Sequence, residues 1–373
     1  MSFPEIFHKQ NRKTLRLPIK KLKSGITVQD NINGSESDSL EERKTDHLDL
    51  AVKSQMPIET ADSRFDFEPL LAAHPTPLND DLSCDFLGKR VKAPLWISSM
   101  TGGAKEAGKL NKIWAKIAAE FGLGMGLGSC RTLLSSSKHI SDFDLRPILG
   151  DELPFYANLG IAQVEELIDN GEEKKLQELV KTLDADGLIV HINPLQEWFQ
   201  PEGDRYKRAP LETIKRLLGV FEGKLIVKEV GQGFGPKSLE ELIKLPLSAI
   251  DFAAYGGTNF TKLELMRGKV NDFSSYSQFS QVGHTADEMI ICANRILDNL
   301  GSKAKCRSFI ISGGVKDSLH GFYLMENLLG SSVYAQAKAF LVKGREGYPA
   351  LKEYVESELK NLALSKAFLK VRT

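Results

Sequence analysis

Along most of the chain, short apolar runs alternate with longer stretches in which apolar positions recur at helical spacing. The runs predict strands over residues 93–99, 124–129, 154–160, 187–191, 225–230, 249–254, 308–312 and 332–337. The helical spacing predicts helices over 105–121, 162–183, 211–221, 238–245, 285–300, up to about Leu329, and over 348–364. The crossover 131–153 is short and irregular. Eight strands with helices or crossovers between them predict an α/β protein, a closed (β/α)8 TIM barrel. An open doubly wound sheet is the alternative. That sheet usually carries GxGxxG after its first strand, a spacing that Gly124-Met125-Gly126-Leu127-Gly128 lacks. These dense glycines instead predict a narrow barrel strand pressed against a flat ligand.

The periodic pattern is absent before residue 41. Residues 1–24 set Lys9, Arg12, Lys13, Arg16, Lys20, Lys21 and Lys23 against Glu5, and 25–40 are polar. Residues 1–40 are therefore expected to be a mobile tail and 41–373 one barrel domain. An organelle-targeting peptide is a second reading of the basic stretch. Two long connections, 197–210 and 257–283, predict mobile covers over an active site, with an oligomer contact as the alternative.

Composition narrows the class. Lys plus Arg number 49 and so do Asp plus Glu, so nothing in the charge calls for nucleic acid or an anionic membrane. No apolar run approaches the roughly 18 residues of a membrane span, and no secretory signal core opens the chain. Cys84, Cys130, Cys292 and Cys306 are scattered, with no zinc spacing, as expected of reduced thiols in a cytoplasmic protein. Cys130 lies in a glycine-rich turn and is a candidate pocket residue.

The chemistry-bearing residues gather at predicted strand ends. His191, Asn193, Gln196 and Glu197 follow the run Gly187-Leu188-Ile189-Val190, at the end where barrels bind ligands. Ser312-Gly313-Gly314, the strand Tyr334-Ala335-Gln336-Ala337 and Gly256-Gly257-Thr258 predict a phosphate cradle of backbone N–H groups. Lys228 lies inside a buried strand, so its ammonium needs an anionic partner. An electron-rich cofactor in the barrel would supply one; a salt bridge to Glu229 is the alternative. Arg43-Lys44 and Arg131 are candidate clamps for a diphosphate, and Glu197 is a candidate ligand for a bridging Mg2+.

Taken in order, Arg43-Lys44-x-Asp46-His47, Ile97-Ser98-Ser99-Met100-Thr101-Gly102-Gly103, Gly128-Ser129-x-Arg131 and Ala157-Asn158-Leu159-Gly160 form the first half of an ordered set. His191-x-Asn193-Pro194-Leu195-Gln196-Glu197, Val227-Lys228-Glu229-Val230-Gly231, Gly256-Gly257-Thr258 and Ser312-Gly313-Gly314 complete it. The set resembles the FMN-dependent type 2 isopentenyl diphosphate isomerases over about residues 40–345. The resemblance implies an FMN-binding barrel that uses Mg2+, takes an allylic or homoallylic diphosphate, and needs FMN reduced by NADPH or NADH. It implies FMN contacts from Ser99, Met100, Thr101, Gly102, Ser129, Asn158, Lys228, Thr258, Gly313 and Gly314, with Ala335 and Gln336 near the phosphate. Substrate contacts fall to Arg43, Lys44, Arg131, His191, Asn193 and Gln196, and Mg2+ to Glu197. It also implies a homo-oligomer, a tetramer or octamer. The chain departs from the pattern at Lys316, at Ser318-Leu319-His320 and at Val282-Gly283-His284-Thr285.

The expected reaction moves a double bond by adding a proton at one carbon and removing one at another, with no net redox change. Gln196, Lys228 and His191 are the expected catalytic residues: Lys228 stabilises an anionic reduced ring, and Gln196 orients the substrate or relays a proton. Two rivals stand beside it: an FMN-dependent 2-hydroxy acid oxidase or dehydrogenase on the same barrel, and a non-catalytic flavin- or phosphate-binding barrel.

Overall fold

A computed structural model describes residues 36–76, 82–99, 105–268 and 275–372. The chain falls into two compact units, one ending at Ala61 and one starting at Asp62. In the first, Glu36–Ala51 is a helix carrying Arg43 and Lys44, followed by a short 3-10 turn at Ile58–Thr60. The side chains of residues 42–61 are all exposed. The helix has no apolar stripe, which is why the hydrophobic pattern did not signal it. The proposed tail lies mostly outside the described residues, as do Met100, Thr101 and Gly102.

The second unit contains eight parallel strands: β1 (Leu95–Ile97), β2 (Gly124–Gly126), β3 (Phe155–Gly160), β4 (Gly187–His191), β5 (Lys224–Lys228), β6 (Ala249–Asp251), β7 (Ser308–Ile311) and β8 (Ser331–Gln336). They pair in chain order, and β8 closes on β1 through Tyr334 opposite Leu95 and Gln336 opposite Ile97. Closure rules out the open sheet. Side chains alternate across the wall, as period-2 strands require. Ile189 packs inward with Trp96, Tyr156, Ile226 and Ile310, whereas Leu188 and Val190 join the core beneath the helices.

This interior explains the glycines of β2 and corrects the expectation attached to them. A Cβ on Gly124 would lie 2.4 Å from the Trp96 ring, and one on Gly126 would lie 2.6 Å from Ile189. These two glycines make room for large interior side chains, Trp96 of the adjacent β1 and Ile189 of β4 across the interior.

The N-terminal end of the barrel is plugged by a hairpin, Cys84–Phe86 paired with Lys89–Val91. Leu87 and Gly88 turn it with φ of 55° and 78°, the left-handed pair that a two-residue turn needs. Phe86 and Val91 pack into the barrel interior. Lys224 at the start of β5 donates to the Leu87 carbonyl. Lys89 reaches the Leu153 carbonyl at 3.2 Å and the Asp186 carboxylate at 2.5 Å. Asp186 also accepts from Arg146 at 3.1 Å and from the Phe155 amide at 2.9 Å. Asp186→Ala leaves two cations and an amide without their shared partner. It is expected to lower stability by about 3 kcal/mol, read as a lower denaturation midpoint at unchanged m-value.

Most outer helices follow the predicted spacing, while Pro194–Phe199, Phe260–Arg267 and Lys338–Glu346 are helices the pattern did not predict. Lys105–Phe121 buries Leu110, Trp114, Ile117 and Phe121 along one stripe. The single helix expected over 162–183 is two, Ile161–Asp169 and Lys174–Thr182. Gly171, at φ 72°, ends the first: Glu172 N donates to Leu167 O at 2.8 Å and Gly171 N to Ile168 O at 3.3 Å. That is a Schellman termination. The irregular crossover holds two 3-10 turns, Arg131–Leu134 and Ser137–Asp142, and one helical turn, Arg146–Leu149. Among the described residues no helix is long and apolar enough to cross a membrane.

Candidate active site

With the N-terminal end plugged, the C-terminal strand ends are left to bind ligands. A cavity of about 460 Å³ opens there, lined from the ends of β5, β6, β7, β8 and β1. Its floor and walls include Ala253, Gly257, Gly313 and Ala335, small residues that leave it room. Gly313 and Gly314 turn with φ of 83° and 72°. A Cβ on Gly313 would lie 2.1 Å from the Ala254 carbonyl, so only glycine fits. The helix Lys338–Glu346 starts at the rim, presenting its unpaired N–H groups and positive end. The charged side chains of the lining are Lys228, Lys316, Lys338 and Lys343, with no carboxylate. Such a lining selects an anion. Ser99, Lys228, Thr258, Gly313, Gly314, Ala335 and Gln336, all predicted site residues, meet in this cavity. The Ser99 hydroxyl is buried with no protein partner among the described residues, which leaves it to a ligand.

Lys228 ends β5 in register between His191 of β4 and Asp251 of β6. It is 7% exposed. Its ammonium donates to the Glu229 backbone carbonyl at 2.6 Å, not to that residue's carboxylate. The Glu229 carboxylate turns away and accepts from the amides of Gly231, Gln232 and Gly233 at 2.6, 2.6 and 2.9 Å. Burial pushes the Glu229 carboxyl up against those donors.

His191 faces the second group of predicted residues. Its Nδ1 lies 2.8 Å from Asn158 Oδ1, and Asn158 Nδ2 donates to the Leu127 carbonyl at 2.9 Å. The amide orientation assigns the His191 proton to Nδ1 and leaves Nε2 as an acceptor. Burial, helped by the nearby Lys228 charge, lowers the His191 pKa to about 4, so the ring is neutral at physiological pH. Asn158 thus bonds His191 and Leu127 and is not among the residues lining the lysine-lined cavity.

Beyond β4, Asn193 ties the strand-end cluster together. Its Nδ2 donates to Gln196 Oε1 at 3.1 Å and to Glu197 Oε1 at 2.9 Å, and its Oδ1 accepts from Tyr206 at 2.8 Å. Glu197 Oε2 accepts from the Asp204 amide at 2.7 Å. Asp204 pairs with Arg131 at 2.7 Å and accepts from Gln163 at 2.6 Å. Arg208 binds Asp169 at 2.9 Å. The connection 197–210 is therefore pinned into the site wall, which corrects its expected role as a mobile cover. Glu197 keeps one further lone pair on each oxygen. Among the described residues no three His, Cys, Asp or Glu gather as a metal cage. Asn193 and Gln196 also line a neighbouring cleft of about 250 Å³, which shares Val230 with the cavity.

Several participants gave no motif. Asp251 is a carboxylate in the apolar run Ala249-Ile250-Asp251-Phe252, and the argument applied to Lys228 would have found it. Glu264 is 3% exposed, lies beside Gln196 and pairs with Arg267 at 2.6 Å. Lys338 and Lys343 had no signal short of knowing where β8 ends. Cys130 is buried outside the cavity, and burial pushes its thiol up to about 12, which rules out a thiolate nucleophile.

Fold and site together define a (β/α)8 barrel with a lysine-lined cavity at its C-terminal end beside a polar, carboxamide-rich wall. Among solved structures, flavocytochrome b2 with sulfite bound matches the fold with a TM-score of 0.54 at 15% identity over 81% of this chain and 71% of that one. A mandelate oxidase variant with an FMN adduct gives 0.51 at 11% identity over 90% and 100%. No family model matches the chain. Among curated relatives, the isopentenyl-diphosphate delta-isomerase of Rickettsia felis is 32% identical over 330 residues, 87% of this chain and 91% of the relative. That of Cronobacter sakazakii is 34% identical over 312 residues, 81% and 85%. That of Nostoc sp. is 33% identical over 327 residues, 86% and 89%. The chain belongs to the isopentenyl-diphosphate delta-isomerase family, in its type 2 branch.

Proposed function

We propose that the protein interconverts isopentenyl diphosphate and dimethylallyl diphosphate, with FMN in the lysine-lined cavity and Mg2+ accompanying the diphosphate. The observation that carries this reading is the junction, at Val230, of a cavity whose charged lining residues are all lysines with the Asn193–Gln196 wall. The residues present fit FMN. Gly313, Gly314 and the helix starting at Lys338 suit its phosphate, and the small-residue floor, the Ser99 hydroxyl and Lys228 suit its ring. Glu197 fits Mg2+ as a single carboxylate, since Mg2+ takes the rest of its shell from phosphate oxygens and water.

When bound and reduced by NADPH or NADH, FMN supplies a ring nitrogen able to exchange a proton with the substrate without net redox change. The chain's own residues then do four things. Lys228 places a cation against an electron-rich ring, where the low dielectric strengthens it. Gln196, its Oε1 held by Asn193, offers its N–H groups to orient the substrate. His191 is driven back toward its charged form by an arriving diphosphate. Arg131 reaches the diphosphate by exchanging its Asp204 partner, and we extend the same role to Arg43 and Lys44. A homo-oligomeric state, tetramer or octamer, belongs to the same proposal and is read by light scattering.

A 2-hydroxy acid oxidase would need His191 as a base. A ring titrating at about 4 and backed by a neutral carboxamide is a weak one.

The test is an anaerobic proton NMR assay with isopentenyl diphosphate, FMN and Mg2+, with and without NADPH. Dimethylallyl diphosphate formed only with reductant, and without matching NADPH loss, supports the proposal. No product from protein carrying reduced flavin overturns it. In the same assay Gln196→Ala is expected to lower turnover by about 10²-fold with flavin binding retained. Unchanged turnover would remove Gln196 from the mechanism.

A further inference from the structure

Beneath the cavity floor lies a carboxylate that the motifs and the proposed mechanism leave unused. Asp251 is fully buried. Its Oδ1 accepts a hydrogen bond from the Ser312 hydroxyl. That hydroxyl in turn accepts from the Ala253 amide at 2.8 Å, and Ala253 lines the cavity in the left-handed region at φ 42°. Asp251 Oδ2 has no hydrogen-bond donor among the described residues. A half-satisfied buried carboxylate is costly unless a charge answers it. Lys228, its register partner on β5, is the cation whose field it feels.

The groups facing Lys228 differ in what they offer. His191, on β4, is neutral. Glu229 has one oxygen taken by three backbone amides. Asp251 offers a fully buried oxygen that no donor among the described residues occupies, and Lys228 is the first of the groups that oppose the upward push of burial on its carboxyl. We propose that Asp251 is a positioning residue: its unpartnered oxygen, in register with Lys228, draws the ammonium to the cavity floor, and through Ser312 it holds the floor itself. The cavity's preference for an anionic ring over a neutral one is then set by Asp251 acting through Lys228. The cofactor half of this inference rests on the FMN reading; the pairing half does not.

Two measurements separate the halves. In protein freed of flavin, the rate of Lys228 acylation by acetic anhydride is followed against pH by peptide mass spectrometry. Asp251→Asn removes the counter-charge, and Lys228 is expected to acylate about tenfold faster at pH 8, since one unit of proton affinity is tenfold in free amine. An unchanged rate in folded Asp251→Asn overturns the pairing. Should that variant not fold, Ser312→Ala, which frees the carboxylate from its anchor, replaces it and is expected to shift the rate in the same assay. An unchanged rate there overturns the pairing equally.

The second measurement is the flavin midpoint potential and the dissociation constants of oxidised and reduced FMN. These are taken for the parent, Asp251→Asn, Lys228→Met and the double variant. Action through Lys228 requires that Asp251→Asn change the ratio of the two constants in the parent and leave it unchanged in the Lys228→Met background. Equal changes in both backgrounds mean a merely structural role and overturn the inference. A parent that acylates as expected but binds no FMN overturns the FMN reading and this half, and leaves the pairing standing.

Discussion

Lys228→Met is expected to cut isomerase turnover by about 10²–10³-fold, the usual consequence of losing one preorganised electrostatic contact. Methionine nearly matches the lysine stem in length and suits an apolar strand, so the packing of β5 survives and only the charge is lost. The effect is large because of where the ammonium sits. It is 7% exposed, at the floor of a cavity whose other three cations lie on the segments after β7 and β8. No cation among its neighbours lies at the same place: Glu229 and Asp251 are acids, and His191 sits against Asn158. Burial already pushes the Asp251 carboxyl up, and Lys228 is the largest of the groups that oppose it, so its loss favours the neutral form of Asp251. Stability is therefore expected to fall far less than activity. Turnover at saturating FMN and substrate is the measurement. A rate within about fivefold of the parent rejects the electrostatic role.

The second large effect is on stability against pH. The His191 pKa is lowered from 6.5 to about 4 in the fold, by burial first and by Lys228 second. Between those values the unfolded chain binds a proton that the folded chain refuses. Stability from this group is present above about pH 6.5 and is lost as pH falls toward 4. Full burial would make the loss about 3 kcal/mol; the ring keeps an opening to the site, so about 2 kcal/mol is expected. Glu358 acts the other way. Burial raises its pKa from 4.5 to about 7, with Asp317 adding to the effect, so its contribution is present below 4.5 and is lost as pH rises through 7. The two slopes oppose each other between pH 4.5 and 6.5, and the raw curve understates both. The measurement is therefore a difference, denaturant unfolding of the parent and of His191→Asn from pH 4 to 8. The parent is expected to lose about 2 kcal/mol relative to the variant on the acid side. Parallel curves would show that the imidazole is not held neutral.

Neither effect depends on a residue the sequence concealed. Lys228 and His191 both stand where polar groups interrupt or end apolar runs, and such interruptions are legible because burying them has a cost that only function or pairing offsets. Asp251 interrupts a run in the same way. It carries no glycine turn beside it to suggest a ligand, because its role is one layer below the cavity. The glycines misled in one place for a related reason. Gly124 and Gly126 signal close approach of something, and a sequence cannot say whether that is a ligand or Trp96 and Ile189 from other strands. The loop 197–210 misled because its polar composition is the same whether water or Arg131, Gln163 and Asn193 satisfy it.

Alternation of apolar runs and helical stripes predicted eight strands and favoured a barrel, and the pairing of β8 with β1 then excluded the open sheet. The strands and their order depend on local periodicity and on the chain-order pairing that short crossovers impose. The ordered motifs likewise determined the family. What only the tertiary structure decided is which polar groups face one another: Lys228 in register with Asp251, His191 toward Asn158, Arg131 toward Asp204. These contacts join residues tens of positions apart, and their sign and strength depend on burial and on register between strands, neither of which a linear pattern contains.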